Sequence, residues 1–155
     1  MGNTERRPFF PLFVDMGGRR ALIAGGGAVA GRRIKVLLEA GADITVVAPE
    51  TCAYIERAAS LGSIRLLKRK YQEGDVAGLA PFFVIAATND RQVNQQIAME
   101  STSLDIPVSV ADCRDECTCY FPAIADNGNY IAGLVSKDGN HAGVKQMAEK
   151  IKDVL

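Results

Sequence analysis

The sequence has no excess of charge of either sign and no long hydrophobic run. Its 18 basic and 18 acidic residues give a formal net charge of zero, so no overall field draws the chain to nucleic acid or to an anionic membrane surface. No apolar stretch reaches the roughly 18 residues that a membrane-spanning helix needs. We therefore expect a cytoplasmic protein that has neither a nucleic acid nor a membrane as its partner.

The N-terminus lacks the features of a targeting signal. Arg6 and Arg7 are not followed by the long apolar segment of a signal peptide. Gly2 follows Met1, as in myristoylated proteins, but Arg6 stands where that motif requires Ser or Thr. The sequence thus predicts neither a signal peptide nor an N-terminal lipid.

Cysteine and histidine are too few and too irregularly spaced to predict a metal site. Cys113, Cys117 and Cys119 have the spacing C-x3-C-x-C, which differs from the paired C-x2-C of structural zinc sites. A loop with unpaired thiols is the simpler interpretation, and a metal or redox role is the alternative. Disulfides are not expected in a cytosolic chain. His141 is the only histidine.

A glycine-rich stretch between an apolar run and a helical pattern is the most informative feature of the sequence. The run 21–24 predicts a buried strand, and the periodic segment 29–40 predicts a helix. Gly25, Gly27 and Ala30 match the dinucleotide-binding pattern G-x-G-x-x-(G/A). The first glycine allows a tight turn, the second lets a pyrophosphate approach the backbone, and the alanine lets the helix pack closely on the sheet. The N-terminus of this helix then offers N–H groups and a positive dipole to the phosphates.

Predicted strands and helices alternate up to residue 112. Further strands are predicted at 44–48, 64–67, 82–87 and 106–110, and helices at 51–61, within 71–80 and from 93 onward. This alternation predicts an α/β fold with a Rossmann-like parallel sheet and helices on both faces. Ligands of such sheets bind at the carboxyl ends of the strands.

Two pairs of residues directly follow predicted strands and are candidate cofactor contacts. Pro49 and Glu50 follow the second strand, where the dinucleotide pattern normally has an acid that binds the ribose hydroxyls. Because Glu50 comes slightly late, the choice between NAD and NADP stays open. Thr88 and Asn89 follow the most apolar strand, where they either contact a ligand or cap the next helix. Both roles are compatible.

The pattern changes in the last third of the chain. Two apolar runs, 123–126 and 130–135, flank the pair Asn127-Gly128, which predicts a tight antiparallel hairpin. The segment 144–155 predicts a terminal helix. An isolated hairpin is not stable by itself, so we expect a second copy of the chain to cover it. The expected units are a Rossmann-like domain at 1–112 and a dimerisation segment at 113–155.

Together these stretches resemble the precorrin-2 dehydrogenases of siroheme synthesis, a family that includes the amino-terminal part of multifunctional siroheme synthases. The matching stretches run in order along nearly the whole chain: 10–13, 23–30, 38–42, 46–49, 86–90 with 93–94, 110–112 and 121–123. The resemblance implies a homodimer that uses NAD to oxidise precorrin-2 to sirohydrochlorin. The expected cofactor contacts are Gly25, Gly26, Gly27, Ala28, Val29, Pro49, Glu50, Thr88 and Asn89.

Asp112 is the predicted catalytic base. The family has an aspartate near the substrate at the matching position, and Asp112 also follows the fifth predicted strand, at the edge where the nicotinamide should lie. Loss of hydride from a reduced tetrapyrrole requires loss of a nearby proton, which a positioned carboxylate can accept. The alternative is that this aspartate only stabilises a loop.

Ser136 and His141 are candidate substrate-binding residues. They lie in a segment similar to one that usually ends in Ser-Pro in the family, whereas this chain has His141-Ala142. The histidine either binds a substrate carboxylate or is a polar residue at a helix start. Family members generally continue into a further helical region beyond the position of Leu155, so closure over the substrate is not predicted.

Two other functions remain open on the sequence. Some family members also insert iron, so a sirohydrochlorin ferrochelatase that uses Asp112, His141 and the cysteines is one alternative. A non-catalytic NAD- or tetrapyrrole-binding module is the other, although such a module has no need of an acid at Asp112. A nucleotide-sensing domain of potassium channels shares the glycine signature but does not predict the hairpin.

Overall fold

The chain alternates strands and helices up to residue 110 and then forms a hairpin and a terminal helix. The structure is a computed structural model that describes residues 9–155, so the predictions for Arg6 and Arg7 lie outside it. The elements are β1 (Arg20–Ala24), α1 (Ala28–Glu39), β2 (Asp43–Val47), α2 (Ala53–Ser60), β3 (Arg65–Leu67), α3 (Asp75–Leu79), β4 (Phe83–Ala86), α4 (Arg91–Ser103), β5 (Val108–Val110), a 3₁₀ turn (Arg114–Glu116), β6 (Ala123–Asp126), β7 (Ile131–Leu134) and α5 (His141–Lys152). Within this range no helix has the length and apolarity that a membrane crossing requires.

The first five strands form one parallel sheet in the order β3-β2-β1-β4-β5. The central strand β1 pairs with β2 on one side and β4 on the other, so that Ala24 lies beside both Val47 and Ala86. The chain thus adds β2 and β3 on one side of β1 and then returns to add β4 and β5 on the other side. Such a switch point leaves a crevice at the carboxyl ends of the two neighbouring strands, where open α/β sheets bind ligands.

Helices cover both faces of the sheet because β1 is apolar on both of its faces. Ile23 packs in a buried cluster with Ile34 of α1, and Leu22 packs in a second cluster with Ile97 of α4. All four side chains are at most 1% exposed. The continuous apolar run of β1 is therefore that of a strand buried on both faces.

Several element boundaries differ from those predicted. Strand β5 begins at Val108, directly after Pro107, whose nitrogen carries no N–H for a ladder. Helix α5 begins at His141 rather than at 144, because the side chain of Asn140 caps it and accepts the N–H of Gly143 at 2.8 Å. The first turn of that helix has no periodic apolar residue, so the pattern alone placed its start too late.

The predicted hairpin forms, but its loop is longer than the Asn-Gly pair suggests. Strands β6 and β7 are antiparallel and are joined by the four residues 127–130. The side-chain oxygen of Asn127 accepts the N–H groups of Asn129 at 3.0 Å and Tyr130 at 2.9 Å. Gly128 has a φ of +88°, which favours glycine. The asparagine side chain therefore organises a four-residue loop, one residue longer than the predicted strand bounds allow.

The hairpin and α5 pack on each other but leave apolar side chains exposed. Ala125 of β6 and Ala148 of α5 are buried between them. The outer side chains form what we call the hairpin–helix surface: Ile124, Tyr130, Ile131, Val135, Met147 and Val154, each at least 40% exposed. Groups of exposed apolar side chains mark interaction sites in many proteins.

Candidate functional site

The loops that follow β1, β2, β4 and β5 meet at one edge of the sheet. Because these strands are parallel, their carboxyl ends all lie at the same edge. The structure brings to this edge ten of the residues predicted from the sequence: Gly25, Gly26, Gly27, Ala28, Val29, Pro49, Glu50, Thr88, Asn89 and Asp112. Their individual roles remain predictions, but their grouping is that of a single site.

The glycines after β1 differ in what surrounds them. A Cβ atom at Gly25, whose φ is +119°, would lie 2.1 Å from the carbonyl oxygen of Ala87. A Cβ atom at Gly26 would lie 2.0 Å from the carbonyl oxygen of Glu50. At Gly27 it would meet nothing within 4 Å. The first two glycines therefore allow neighbouring loops to approach closely, and the third faces open space that a phosphate group can enter.

The start of α1 has the features of an anion-binding site. Gly27 is its N-cap residue, no side chain caps the helix, and its first turn contains no acidic residue. Ala28 and Val29 are exposed. The first N–H groups of a helix have no partner within the helix and carry partial positive charge, so this terminus can receive a pyrophosphate as the glycine pattern predicts.

A buried asparagine that the sequence analysis did not single out holds the turn after β4. The side-chain oxygen of Asn94 accepts the backbone N–H of Thr88 at 3.0 Å and its hydroxyl at 2.7 Å, and the amide nitrogen donates to the Thr88 carbonyl at 3.1 Å. Asn94 is 0% exposed. The available signal was a polar residue within the apolar face of α4, beside Ile97.

The cap of α4 is neither Thr88 nor Asn89. Asp90 caps this helix, because its carboxylate accepts the N–H groups of Gln92 at 2.9 Å and Val93 at 3.3 Å. The alternative role proposed for Thr88 and Asn89 is therefore wrong. Asn89 is exposed at the sheet edge, and the Thr88 hydroxyl is engaged within its own turn.

Asp112 belongs to a network of three charged side chains. Nη1 of Arg91 donates to Oδ1 of Asp112 at 3.0 Å, and Nη2 of the same guanidinium donates to Oε1 of Glu116. The hydrogen bond to Glu116 raises the pKa of Arg91. Within residues 9–155, the other Glu116 oxygen is buried without a hydrogen-bond partner. Sequence analysis missed Arg91 and Glu116, because no local pattern links the start of α4 to the 3₁₀ turn.

Ser136 and His141 lie at the loop between β7 and α5. The Ser136 hydroxyl accepts the N–H of Asn140 at 2.7 Å and donates to Asp138. His141 is the exposed first residue of α5. Nη2 of Arg114 donates to the Ser136 carbonyl at 2.6 Å, so this loop is tied to the 3₁₀ turn that follows Asp112.

The cysteines are packing residues in this structure. All four are free thiols. The Cys117 sulfur receives the N–H of Val110 at 3.2 Å, and burial raises its pKa. Burial also raises the pKa of Cys119 to about 12, so both remain protonated at neutral pH. Among the residues that the structure describes, no group of three or more His, Cys, Asp or Glu side chains is placed to hold a metal ion.

Comparison with known proteins identifies the family. The family described as "Putative NAD(P)-binding" matches residues 12–123. The chain is 42% identical over 146 residues to the "Probable multifunctional siroheme biosynthesis protein HemA" of Ruminiclostridium josui, which covers 94% of this chain and 28% of that protein. It is 39% identical over 128 residues to a siroheme synthase of Pseudomonas paraeruginosa, which covers 83% of this chain and 27% of the relative. The chain thus spans little more than a quarter of the length of these curated relatives.

A solved structure supports the same family. "SirC, precorrin-2 dehydrogenase" matches with a TM-score of 0.78 and 30% identity over 95% of this chain and 71% of that chain. The chain belongs to the NAD(P)-binding family that includes siroheme synthases and precorrin-2 dehydrogenases. The predicted fold, a Rossmann-like sheet followed by a hairpin and a terminal helix, is confirmed.

We expect Asn94→Ala to destabilise the protein by about 1–3 kcal/mol, because it leaves the backbone N–H and carbonyl of Thr88 without their partners. The free energy of unfolding in urea is the measurement. Gln95→Ala is the matched control, since Gln95 is an exposed neighbour on the same helix and its loss should change stability by less than about 0.5 kcal/mol. Equal stability of the two variants would contradict the structural role of Asn94.

Proposed function

We propose that this protein oxidises precorrin-2 to sirohydrochlorin with NAD as the hydride acceptor. The observation that carries the proposal is that Asp112 lies at the same sheet edge as the uncapped start of α1. A parallel sheet binds a dinucleotide across this edge, with the pyrophosphate at the helix start. The family contains a dehydrogenase named for the same substrate. We place the reaction in the cytoplasm, where a reducing environment keeps thiols such as Cys52 free.

In the proposed reaction each group at the edge has a distinct task. The N–H groups at the start of α1 bind the pyrophosphate, and the open space at Gly27 admits it. Thr88 and Asn89 line the nicotinamide side of the crevice. NAD, when bound, supplies the acceptor for the hydride that leaves the tetrapyrrole. The Asp112 carboxylate accepts the proton lost from the neighbouring position of the substrate, which balances the removal of two electrons and two hydrogens.

We expect Asp112→Asn to bind NAD with unchanged affinity but to lose about 100-fold or more in turnover, because it removes the proton acceptor without changing volume. The measurement is absorbance of sirohydrochlorin and NADH after anaerobic mixing with precorrin-2 and NAD. Asp115→Asn is the matched control, because Asp115 is exposed in the adjacent 3₁₀ turn. Full activity of the Asp112 variant would refute the base assignment. A wild-type protein that binds NAD without forming product would instead be a binding module.

We infer that the cofactor is NAD rather than NADP from the charges that follow β2 and β3. Glu50 is exposed three residues after the end of β2 and would repel a 2′-phosphate. Nζ of Lys68 lies 2.8 Å from Oε1 of Glu56, and the Thr51 hydroxyl donates to the same oxygen at 2.5 Å. The hydrogen bonds from Lys68 and then Thr51 lower the pKa of Glu56, so its carboxylate is charged at neutral pH and neutralises Lys68.

Glu56→Gln should therefore increase the use of NADP. The variant releases Lys68 from its ion pair, so its ammonium group is free to attract a 2′-phosphate, and we expect the ratio of NAD to NADP affinity to fall. Dissociation constants for both cofactors, measured by calorimetry, test this expectation. Glu73→Gln removes the same charge at an exposed position before α3 and serves as control. An unchanged ratio in the Glu56 variant would rule out Lys68 as a selectivity determinant.

We also propose that residues 113–155 form a dimerisation segment and that a second copy of the chain covers the hairpin–helix surface. The support is the exposed apolar character of that surface, which water solvates unfavourably. A two-stranded hairpin with one helix on it is also a small unit that gains stability from a further partner. A twofold arrangement would place the same surface of each copy against the other.

Ile131→Asp is expected to convert the dimer to a monomer, because it introduces a charge on the hairpin–helix surface. Ile131 is 50% exposed, so the change should not disturb folding of the subunit. Sedimentation equilibrium gives the molecular mass. Leu61→Asp, at an exposed site after α2, makes the same kind of change elsewhere and should leave the mass unaltered. A monomeric wild-type protein would overturn this part of the proposal.

A further inference from the structure

Arg91 connects the loops that follow two neighbouring strands. It is the first residue of α4, directly after the loop that follows β4. Its guanidinium reaches Asp112, which follows β5, and Glu116 of the 3₁₀ turn. One side chain thus spans the part of the sheet edge where the proposed base lies.

The guanidinium holds one oxygen of the Asp112 carboxylate by a charge-assisted hydrogen bond. Arginine presents its N–H donors in a rigid planar fork, so the second contact, to Glu116, fixes the plane from which the first one reaches Asp112. Glu116 is the anchoring partner, since its side chain is 24% exposed against 39% for Asp112. The contact to Arg91 uses Oδ1 of Asp112. The second carboxylate oxygen is not part of that hydrogen bond.

We propose that Arg91 is a positioning residue that orients Asp112 for proton transfer, with Glu116 holding Arg91 in place. This inference rests on the proposed dehydrogenase function. It assigns a role to two residues outside the glycine pattern and outside the predicted site. A different role for the same arginine would be direct binding of a carboxylate of the substrate, and the two roles differ in the kinetic parameter that they affect.

The test compares steady-state kinetics of Arg91→Gln and Arg91→Lys with the wild type. A positioning role predicts that Arg91→Gln lowers kcat by about 10- to 100-fold, with the KM for precorrin-2 and the Kd for NAD within about twofold of the wild type. Arg91→Lys should recover part of kcat, because lysine keeps the charge but not the fork. A raised KM with unchanged kcat would overturn the inference in favour of direct substrate binding. Arg57→Gln, an exposed arginine on α2, is the control.

Glu116→Gln tests the anchoring part of the inference. We expect a smaller fall in kcat than in Arg91→Gln, because Arg91 keeps its contact with Asp112 but loses its second partner. The double variant Arg91→Gln with Asp112→Asn should have the same kcat as Asp112→Asn alone, since both changes act on the same proton transfer. If Arg91→Gln lowered kcat in the double variant by the same factor as in the wild-type background, Arg91 would act independently of Asp112, which would overturn the inference.

A stability measurement separates failure of this inference from failure of the proposed function. The urea unfolding midpoints of Arg91→Gln, Asp112→Asn and the double variant form a cycle that needs no substrate. If Arg91 restrains Asp112, the shift in the double variant is expected to be smaller than the sum of the shifts in the two single variants. A shift equal to that sum would refute the contact. If the wild-type protein forms no sirohydrochlorin, the dehydrogenase proposal fails, and the cycle still decides whether Arg91 holds this carboxylate.

Discussion

The close approach of three loop backbones at Gly25 and Gly26 is the constraint on which the rest of the site depends. The turn after β1 lies so near the loops after β4 and β2 that no Cβ atom fits at either glycine. Because β1 is the central strand, its turn packs against the loops that follow the strands on both of its sides. The same turn delivers the chain into α1 with its first N–H groups uncapped. The glycine turn after β1 therefore allows both the close packing of the loops at the sheet edge and the access of an anion to the start of α1.

Around this contact, polar side chains fix the remaining loops, each by a different means. Asn94 is buried and replaces missing backbone partners of Thr88, so the turn after β4 is held from inside the protein. Arg91 acts from the surface and links the loops after β4 and β5 through two carboxylates. Buried hydrogen bonds of the first kind contribute to stability, whereas exposed ion pairs contribute less to it.

The fold was predictable from the sequence because it follows from patterns that are local. The apolar run of β1, the glycines that follow it and the periodicity of α1 lie within one short stretch, and each has a direct physical meaning. Asn94, Arg91 and Glu116 were not predictable in the same way, because their partners are brought near only by the order of the strands. The start of α5 was predicted three residues late for a related reason: the side chain of Asn140 caps the helix where no apolar periodicity marks its start. The side chain of Asn127 likewise lengthens the hairpin loop by one residue.

The hydrogen bond from Arg114 to the Ser136 carbonyl links the two parts of the chain mechanically. Arg114 lies two residues after Asp112, and Ser136 lies between the hairpin and α5. The segment 113–155 and the sheet edge that carries Asp112 are therefore joined by a polar contact as well as by the chain itself, so the loop before α5 has a fixed attachment close to the end of β5.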